Sequence, residues 1–229
     1  MSLKKQKSSS DVLFFRVPEL GKVKNRLEKT LGKEKTLKLY QTLLNEALNK
    51  LLTYKSKHPE TLLVGAYRGS FLPQELTKPF DLLYEQKGLS LGEDLIKVAT
   101  DLLRGQSVEK TIIIGSDCPE ITPSFLELAM EKLTENQVVL SPSHDGGYNL
   151  IGLRQDIFIY IKEIFSEIPW GTEAVFKETM KRLSARGVKV SVLPETVDID
   201  RIEDLERLKR KGIESFYSII QLLTNIIKS

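Results

Sequence analysis

A carboxylate follows the most apolar predicted strand of the chain and is the first candidate for chemistry. Asp117 lies in Gly-Ser-Asp-Cys-Pro (115–119), directly after a β-branched run at 111–115. Mg²⁺ in proteins is typically held by one or two carboxylates together with waters and substrate phosphates, so Asp117 is a candidate ligand for Mg²⁺ or Mn²⁺. The alternative interpretation is that Asp117 only caps the helix that follows.

Basic side chains follow the first predicted strand, in a loop that is a candidate phosphate-binding site. A glycine loop at the start of a helix offers free N–H groups to an anion, and lysine and arginine add charge. The loop lacks both the Walker A pattern and the dinucleotide-binding glycine pattern. A solvated basic surface is the alternative. The candidate phosphate-binding residues are Gly21, Lys22, Lys24, Arg26 and, beside Asp117, Ser116.

Two glycine-containing segments are candidates for contact with a ligand. In Asp-Gly-Gly-Tyr (145–148) the paired glycines let the backbone approach a ligand closely, although Asp-Gly is equally a turn signal. Pro-Trp-Gly-Thr (169–172) holds the single tryptophan, which could instead be an indole that anchors a loop. The candidate residues are Asp145, Gly146, Gly147, Tyr148, Trp170, Gly171 and Thr172.

Two further carboxylates alternate in Asp-Ile-Asp (198–200). In an extended segment Asp198 and Asp200 point the same way, so one of them could be a second metal ligand beside Asp117. The alternative is that Asp200 caps the next helix. Cys118 is a poor candidate for a nucleophile, because no histidine is evidently placed to activate it.

Strands and helices alternate along the chain and would position these residues. Apolar runs and helical spacing predict this alternation. It favours an α/β fold, a three-layer α/β/α sandwich with a mostly parallel central sheet, in which ligands bind at the carboxyl ends of the strands. The predicted strands are 12–15, 62–67, 80–85, 111–115, 138–142, 146–153 and 188–193, and the predicted helices are about 27–52, 91–103, 123–133, 157–165, 173–186 and 204–211.

Length and composition limit the class of protein. The chain has 229 residues, of which 41% are hydrophobic, enough for one α/β domain at 11–212. We expect 1–10 to be a flexible tail and 213–229 an amphipathic helix that packs on the domain or forms a homodimer contact. A net charge of +3 argues against a dedicated nucleic-acid surface. The sequence has a single cysteine, and it shows neither a secretory leader nor a membrane span. We therefore expect a cytoplasmic protein.

The order of the motifs resembles a known bacterial family. Pro-x-x-Gly-x-x-Lys-x-Arg-Leu, Gly-Ser-Asp-Cys-Pro, Asp-Gly-Gly-Tyr-x-Leu-Ile-Gly-Leu, Pro-Trp-Gly-Thr and Asp-x-Asp occur in sequence over 12–208. The pattern is similar to the glycosyltransferase-like "transferase 1" proteins of the nucleotide-diphospho-sugar transferase superfamily, which have the Rossmann-like GT-A fold. More distantly it resembles 2-phospholactate guanylyltransferase and molybdenum-cofactor guanylyltransferase.

The resemblance implies roles for the candidate residues. Asp117 matches the metal-binding aspartate at the end of the central strand, and Asp200 matches an aspartate expected to be a second metal ligand. Lys24 and Arg26 fall on the loop expected to bind donor phosphates, and 145–148 fall near the acceptor or sugar. The implied function is metal-dependent transfer from a nucleotide-activated donor to an unknown acceptor.

Two alternatives to sugar transfer stay open. One is a nucleotidyltransferase that joins a nucleoside triphosphate to a phosphorylated small acceptor and releases pyrophosphate. The other is a catalytically idle nucleotide-binding module. The second is motivated by departures from the family pattern, above all Ser90 and Asp94, which stand where an acid and an arginine are usual.

Overall fold

A seven-stranded sheet forms the centre of the part of the chain that the computed structural model describes, residues 8–106 and 108–212. The strand order is β3-β2-β1-β4-β6-β5-β7. Of these strands β6 runs antiparallel to both its neighbours, which confirms the predicted mostly parallel sheet. The strands are β1 (Ser9–Arg16), β2 (Thr61–Arg68), β3 (Leu82–Glu85), β4 (Lys110–Gly115), β5 (Val138–Pro142), β6 (Tyr148–Arg154) and β7 (Val190–Val192).

Helices cover both faces of this sheet. One face packs apolar residues of α2 and α5, such as Leu51 and Leu126, and the other packs residues of α4, α6 and α7, such as Leu95 and Ile164. The predicted three-layer α/β/α sandwich is therefore confirmed. The helices are α1 (Asn25–Leu31), α2 (Lys33–Lys57), α3 (Gln74–Thr77), α4 (Leu91–Thr100), α5 (Pro123–Glu135), α6 (Ile161–Phe165), α7 (Val175–Ser184) and α8 (Ile202–Lys211).

Two features near the start of the chain differ from the sequence-based prediction. The single helix predicted over 27–52 is two helices, because Gly32 has a φ of 79° and ends α1 before α2 begins. The predicted tail, 1–10, is too long, because β1 already begins at Ser9. The hydroxyl groups of Ser9 and Ser10 each lie 2.8 Å from a threonine hydroxyl of a neighbouring strand, so both polar residues are buried with a partner.

The predicted C-terminal helix, 213–229, and the dimer contact suggested for it lie outside the described residues. None of the described helices combines the length and the apolarity that crossing a membrane requires.

The chain changes direction in the sheet next to β1. It runs from β1 outward through β2 to β3 and then returns to β4 on the other side of β1. The carboxyl ends of β1 and β4 consequently lie side by side, with Phe14 opposite Gly115. Such a switch point leaves a crevice above the sheet, because the two following loops turn to opposite faces. The loop that carries Lys24 and the loop that carries Asp117 both start here.

Candidate functional site

A buried lysine joins two of the predicted carboxylates at the switch point. Lys24 Nζ lies 2.5 Å from Asp117 Oδ2 and 3.5 Å from Asp200 Oδ1. Arg26 Nη1 lies 2.7 Å from Asp200 Oδ2. Residues separated by up to 176 positions in the sequence thus form one ionic cluster. The sequence-based expectation that the basic loop, Asp117 and Asp200 meet at one edge of the sheet is fulfilled by this geometry.

Lys24 combines a strained backbone with a buried side chain. Its φ of 51° and ψ of 47° lie in the left-handed region, which is costly for a residue other than glycine and is found mainly at functional sites. The side chain is 8% exposed. Burial alone would lower the pKa of Lys24, but the carboxylates of Asp117 and Asp200 outweigh burial and raise it. The two carboxylates therefore favour the charged form of Lys24 and hold its ammonium group in place.

Two backbone N–H groups in and beside the Asp-Ile-Asp segment tie it to the loop after β4, one through a carbonyl oxygen and one through a side chain. Ile199 N–H donates to the carbonyl oxygen of Asp117 over 2.9 Å, and Val197 N–H donates to Glu120 Oε2 over 2.7 Å. Val197 and Ile199 are buried in a third apolar cluster with residues of α1, α2 and α8. The two apolar residues alternate with the two aspartates, so burying the former places the latter at the crevice.

Asp198 stands in surroundings that disfavour its negative charge. Burial, and then the neighbouring carboxylates of Asp117 and Asp145, raise the pKa of Asp198 to about 7, while Lys24 acts in the opposite direction. Neighbouring carboxylates repel one another when all are ionised, and a bound cation lowers that repulsion.

The carboxylates allow a metal ligand pair rather than a full cage. Asp200 lies between two cations, Lys24 and Arg26, whereas Asp117 pairs with Lys24 alone, so Asp200 is the less available of the two to a metal. Asp117 and Asp198 fit a cation that also takes oxygen ligands from a substrate. Among residues 8–106 and 108–212, no three His, Cys, Asp or Glu side chains group as a metal cage would require.

Two adjoining cavities meet at Asp117. The larger one, the basic cavity, has a volume of about 550 Å³ and is lined by Arg16, Lys24 and Arg68 together with Asp117 and Asp200. The smaller one, the acidic cavity, has a volume of about 250 Å³ and is lined by Asp117, Asp145 and Asp198 beside apolar and aromatic residues. The cavities share four lining residues, namely Phe14, Leu91, Gly115 and Asp117.

Arg68 in the basic cavity is held by the residue that departs from the family pattern. The buried carboxylate of Asp94 accepts hydrogen bonds from Arg68 and, over 2.8 Å, from Gly88 N–H. Arg68 Nη2 also donates to the carbonyl oxygen of Gly88 over 3.0 Å. Ser90 caps α4 by accepting a hydrogen bond from Glu93 N–H. Asp94 therefore supports an arginine of the basic cavity, Arg68, which comes from the end of β2.

The acidic cavity contains both glycine-containing segments predicted to contact a ligand. Asp145 Oδ1 accepts hydrogen bonds from the Ser143 hydroxyl and, over 3.1 Å, from Gly147 N–H. The rings of Tyr148 and Trp170 pack edge to face, with centroids 6.1 Å apart. Gly171 and Thr172 also line this cavity. The segments at 145–148 and 169–172 therefore face one space, as two walls of it.

Four of the predicted residues lie outside both cavities, whereas Ser116 lines the basic one. Lys22 Nζ bonds Glu19 at 2.5 Å and its side chain is 61% exposed, so Lys22 is directed away from Asp117. Gly21, with a φ of 74°, shapes the turn, and Arg26 reaches the basic cavity only through Asp200. Gly146, with a φ of 88°, forms the turn between β5 and β6. Ser116 lines the basic cavity, and its hydroxyl lies 3.2 Å from that of Tyr40.

The geometry decides two of the alternative interpretations. Thr122, not Asp117, caps α5, by accepting a hydrogen bond from Phe125 N–H. The Asp204 carboxylate accepts hydrogen bonds from Asp200 N–H and its neighbour, so Asp200 does not cap α8. Cys118 is buried, which raises the pKa of its thiol to about 12 and makes it unreactive.

Sequence reasoning missed residues that complete the basic cavity. Arg68, Gln86 and Tyr40 line it. A signal existed for Arg68, because it directly follows the apolar run of β2 and so ends a parallel strand at the ligand-binding edge. Tyr40 gave no such signal, since it lies within the apolar stripe of α2. Its hydroxyl group donates to the Arg16 carbonyl oxygen over 2.9 Å, which the helical pattern alone does not reveal.

Comparisons with solved structures agree with this fold. A protein from Desulfovibrio desulfuricans, provisionally named a nucleotide-diphospho-sugar transferase, is 27% identical, with a TM-score of 0.82 and coverage of 96% of both chains. The 4-diphosphocytidyl-2C-methyl-D-erythritol synthase of Anaerococcus prevotii is 14% identical, with a TM-score of 0.55 and coverage of 87% of this chain and 95% of its own.

A cytidylyltransferase from Leptospira borgpetersenii is also 14% identical, with a TM-score of 0.55 over 96% of this chain and 94% of its own. At that identity the last two relatives bear on the fold alone. No curated protein sequence matches this chain.

The family model that matches covers residues 48–172, more than half of the chain. That stretch contains β4 with Asp117, the Asp94 pair with Arg68, and both walls of the acidic cavity. The chain therefore belongs to the DUF2064 family, described as uncharacterized proteins conserved in bacteria, and it has the fold of the nucleotide-diphospho-sugar transferases.

Proposed function

We propose that this protein is a metal-dependent transferase that takes a group from a nucleotide-activated donor, with a nucleotide-diphospho-sugar as the leading donor class. The single observation that carries the proposal is the cluster of Lys24, Asp117 and Asp200 where the two cavities join. The named Desulfovibrio relative, which is the most similar of the structures described above, supports the same class.

The donor would occupy the basic cavity. Arg16, Lys24 and Arg68 are three cations lining about 550 Å³, a size and charge suited to a nucleoside diphosphate group. Lys24 is fixed in place before any ligand arrives, so it offers preorganised positive charge to a leaving phosphate. Ser116 adds a hydroxyl group at the same wall.

Asp117 and Asp198 would hold Mg²⁺ or Mn²⁺. When bound, the ion neutralises charge on the leaving diphosphate. The remaining roles belong to side chains of this protein. Lys24 keeps Asp117 in place by a direct ion pair, and the hydrogen bond from Ile199 fixes Asp198 relative to it. Asp200 serves to fix Lys24 and Arg26 rather than to bind the metal.

The transfer itself would take place where the cavities join. An acceptor oxygen or nitrogen in the acidic cavity forms a bond to the anomeric carbon of the donor. The bond from that carbon to the diphosphate oxygen breaks, and the nucleoside diphosphate leaves with the bonding pair. Asp145, the third carboxylate of the acidic cavity, takes the proton that the acceptor loses.

Titration calorimetry with Mn²⁺ and a panel of nucleotide sugars and nucleoside triphosphates tests the proposal. We expect metal-dependent binding that Asp117→Asn weakens at least tenfold, on the scale of one lost charged contact. Asp156→Asn, on the exposed surface and paired with Arg154, is the matched control and should bind as the parent does. Binding that needs no metal, with an affinity that Asp117→Asn does not change, would contradict the proposed metal site.

The product that accumulates on prolonged incubation distinguishes the two transfer reactions. Release of a nucleoside diphosphate from a nucleotide sugar supports sugar transfer. Release of pyrophosphate from a nucleoside triphosphate would instead support the nucleotidyltransferase alternative. Tight binding with neither product, in the presence of metal and a wide set of acceptors, would identify an idle nucleotide-binding module.

A further inference from the structure

The charge of the acidic cavity differs sharply from that of the basic cavity. Its walls carry the carboxylates of Asp117, Asp145 and Asp198, and its lining, drawn from the described residues, includes no lysine, arginine or histidine. The basic cavity, beyond the shared Asp117, carries three cations and one carboxylate, that of Asp200. Among charged side chains, a phosphate group would thus find cationic partners on one side of Asp117 and only carboxylates on the other.

Lys24 offsets this difference only in part, because it pairs with Asp117 but does not itself line the acidic cavity. Its ammonium group is shared between Asp117 and Asp200, on the side of the basic cavity. If Asp117 and Asp198 bind a metal that contacts the donor, Asp145 still places a carboxylate on the wall of the acidic cavity. A phosphorylated acceptor would therefore bring about two negative charges toward a negative wall, which offers no side-chain cation to bind the phosphate group.

Apolar and aromatic side chains form much of the remaining lining of the acidic cavity. Trp170 and Tyr148 pack edge to face on one wall, and Phe14, Leu91 and Leu95 line others. Gly92 lets α4 approach this wall closely, because a Cβ atom at Gly92 would lie 2.5 Å from the indole nitrogen of Trp170. The indole is thus held firmly as a flat apolar surface, of the kind that binds the face of a ring.

We infer that the acceptor is an unphosphorylated small molecule, neutral or cationic, with an apolar or ring-shaped face and a hydroxyl or amino group as the receiving atom. This inference rests on the proposed function, because it takes the acidic cavity to be the acceptor site. It separates this protein from transferases whose acceptor is a phosphate ester. The apolar face lies against Trp170 and Tyr148, and the receiving group lies toward Asp145.

The fluorescence of Trp170 tests the inference without turnover. Trp170 is the one tryptophan of the chain and lines the cavity, so a ligand bound there changes its emission. The probes are 2-phenylethanol, 2-phenylethylamine and 2-phenylethyl phosphate, which share a ring and differ in the charge of the end group. We expect the alcohol and the amine each to bind at least about tenfold more tightly than the phosphate, because like charges repel in a desolvated site.

Two variants show whether the carboxylate causes the discrimination. Asp145→Asn should narrow the difference between amine and phosphate, whereas the matched surface variant Asp156→Asn should leave it unchanged. The inference is overturned if the phosphate binds as tightly as the alcohol to the parent protein, or if none of the three probes changes the emission. It is equally overturned if Asp145→Asn and Asp156→Asn behave alike.

These readouts also separate the inference from the proposed function. The probes are titrated without donor or metal, so their order of affinity does not depend on catalysis. If the order holds and no donor class binds, the acidic cavity keeps its ligand class while the transferase proposal fails. If donors bind through Asp117 and the phosphate probe binds best, the transferase proposal stands and the acceptor inference fails.

Discussion

Asp94 and Arg68 form a pair in which a buried carboxylate positions a half-buried arginine. The carboxylate of Asp94 is 3% exposed, whereas the side chain of Arg68 is 35% exposed and lines the basic cavity. Asp94 also accepts a hydrogen bond from Gly88 N–H, which fixes the loop before α4. The acid therefore serves as a positioning residue, and the arginine is the member that a donor would contact.

We predict that Asp94→Asn lowers nucleotide affinity by about tenfold, because the amide supports Arg68 without the charge that strengthens the bond. Calorimetric titration of the nucleotide that binds the parent most tightly measures the effect. Glu163→Gln, which weakens a surface pair with Arg186, is the matched control and should not alter that affinity. A lower melting temperature with parental affinity would show that Asp94 only stabilises the fold.

At the scale of elements, the segment before α8 depends on one side chain from the loop after β4. Glu120 accepts a hydrogen bond from Val197 N–H and bonds Lys211 of α8 at 2.9 Å. Glu120 thereby ties the segment that carries Asp198 and Asp200 to the loop that carries Asp117.

We predict that Glu120→Ala weakens binding of Mn²⁺ and nucleotide and lowers the free energy of unfolding by about 1–3 kcal/mol, since it leaves Val197 N–H without its partner. Lys211→Ala is the matched control, because it removes the other partner and keeps the bond to Val197. Calorimetry and chemical denaturation follow the two quantities. Equal effects of the two variants would refute the assigned role.

The turn between β5 and β6 is a second element on which the site depends. Gly146 has a φ of 88°, and a Cβ atom there would lie 2.3 Å from the carbonyl oxygen of Glu173, just before α7. We predict that Gly146→Ala destabilises the protein clearly more than Gly187→Ala. Gly187 has a similar φ of 63° and open space around it, so its substitution costs only about 1 kcal/mol of strain. Denaturation of both variants provides the comparison.

Most elements, and the edge of the sheet where the site forms, follow from the sequence. The apolar run of β4 and the motif around Asp117 predicted a strand and its functional end. Local patterns did not predict the break at Gly32 or the direction of β6, because a single glycine and a Gly-Gly turn are compatible with several structures. Nor could they predict that Asp94 meets Arg68, since that contact depends on how β2 and α4 pack across the sheet.

At the scale of the whole molecule, β1 is central in the sheet and carries a buried acid. Asp11 is 1% exposed, and neither of its carboxylate oxygens has a hydrogen-bond partner among the described residues. Burial raises the pKa of Asp11 to about 7, against a smaller opposing effect of Lys55. The folded state holds this proton more tightly than the unfolded state does. The stability that Asp11 contributes is therefore complete below about pH 3.8 and is lost as the pH rises toward 7.

We predict that Asp11→Asn raises the free energy of unfolding at about pH 8 by roughly 1–4 kcal/mol, and that this gain shrinks progressively on acidification to about pH 4. Denaturation curves across that range measure it. Asp156→Asn serves as the control of opposite sign, because the hydrogen bond from Arg154 lowers the pKa of Asp156. A stabilisation by Asp11→Asn that does not vary with pH would contradict the assignment.

Asp117 lines both cavities at the point where they join, and this has a consequence for reaction kinetics. The cavities share four lining residues and are otherwise lined by different ones, so a donor and an acceptor could be bound at the same time. The buried thiol of Cys118 offers no covalent relay between them. Initial rates measured against both substrates should accordingly give intersecting double-reciprocal lines, the signature of a ternary complex. Parallel lines would reveal a covalent intermediate on the protein, for which this site would have to supply another nucleophile.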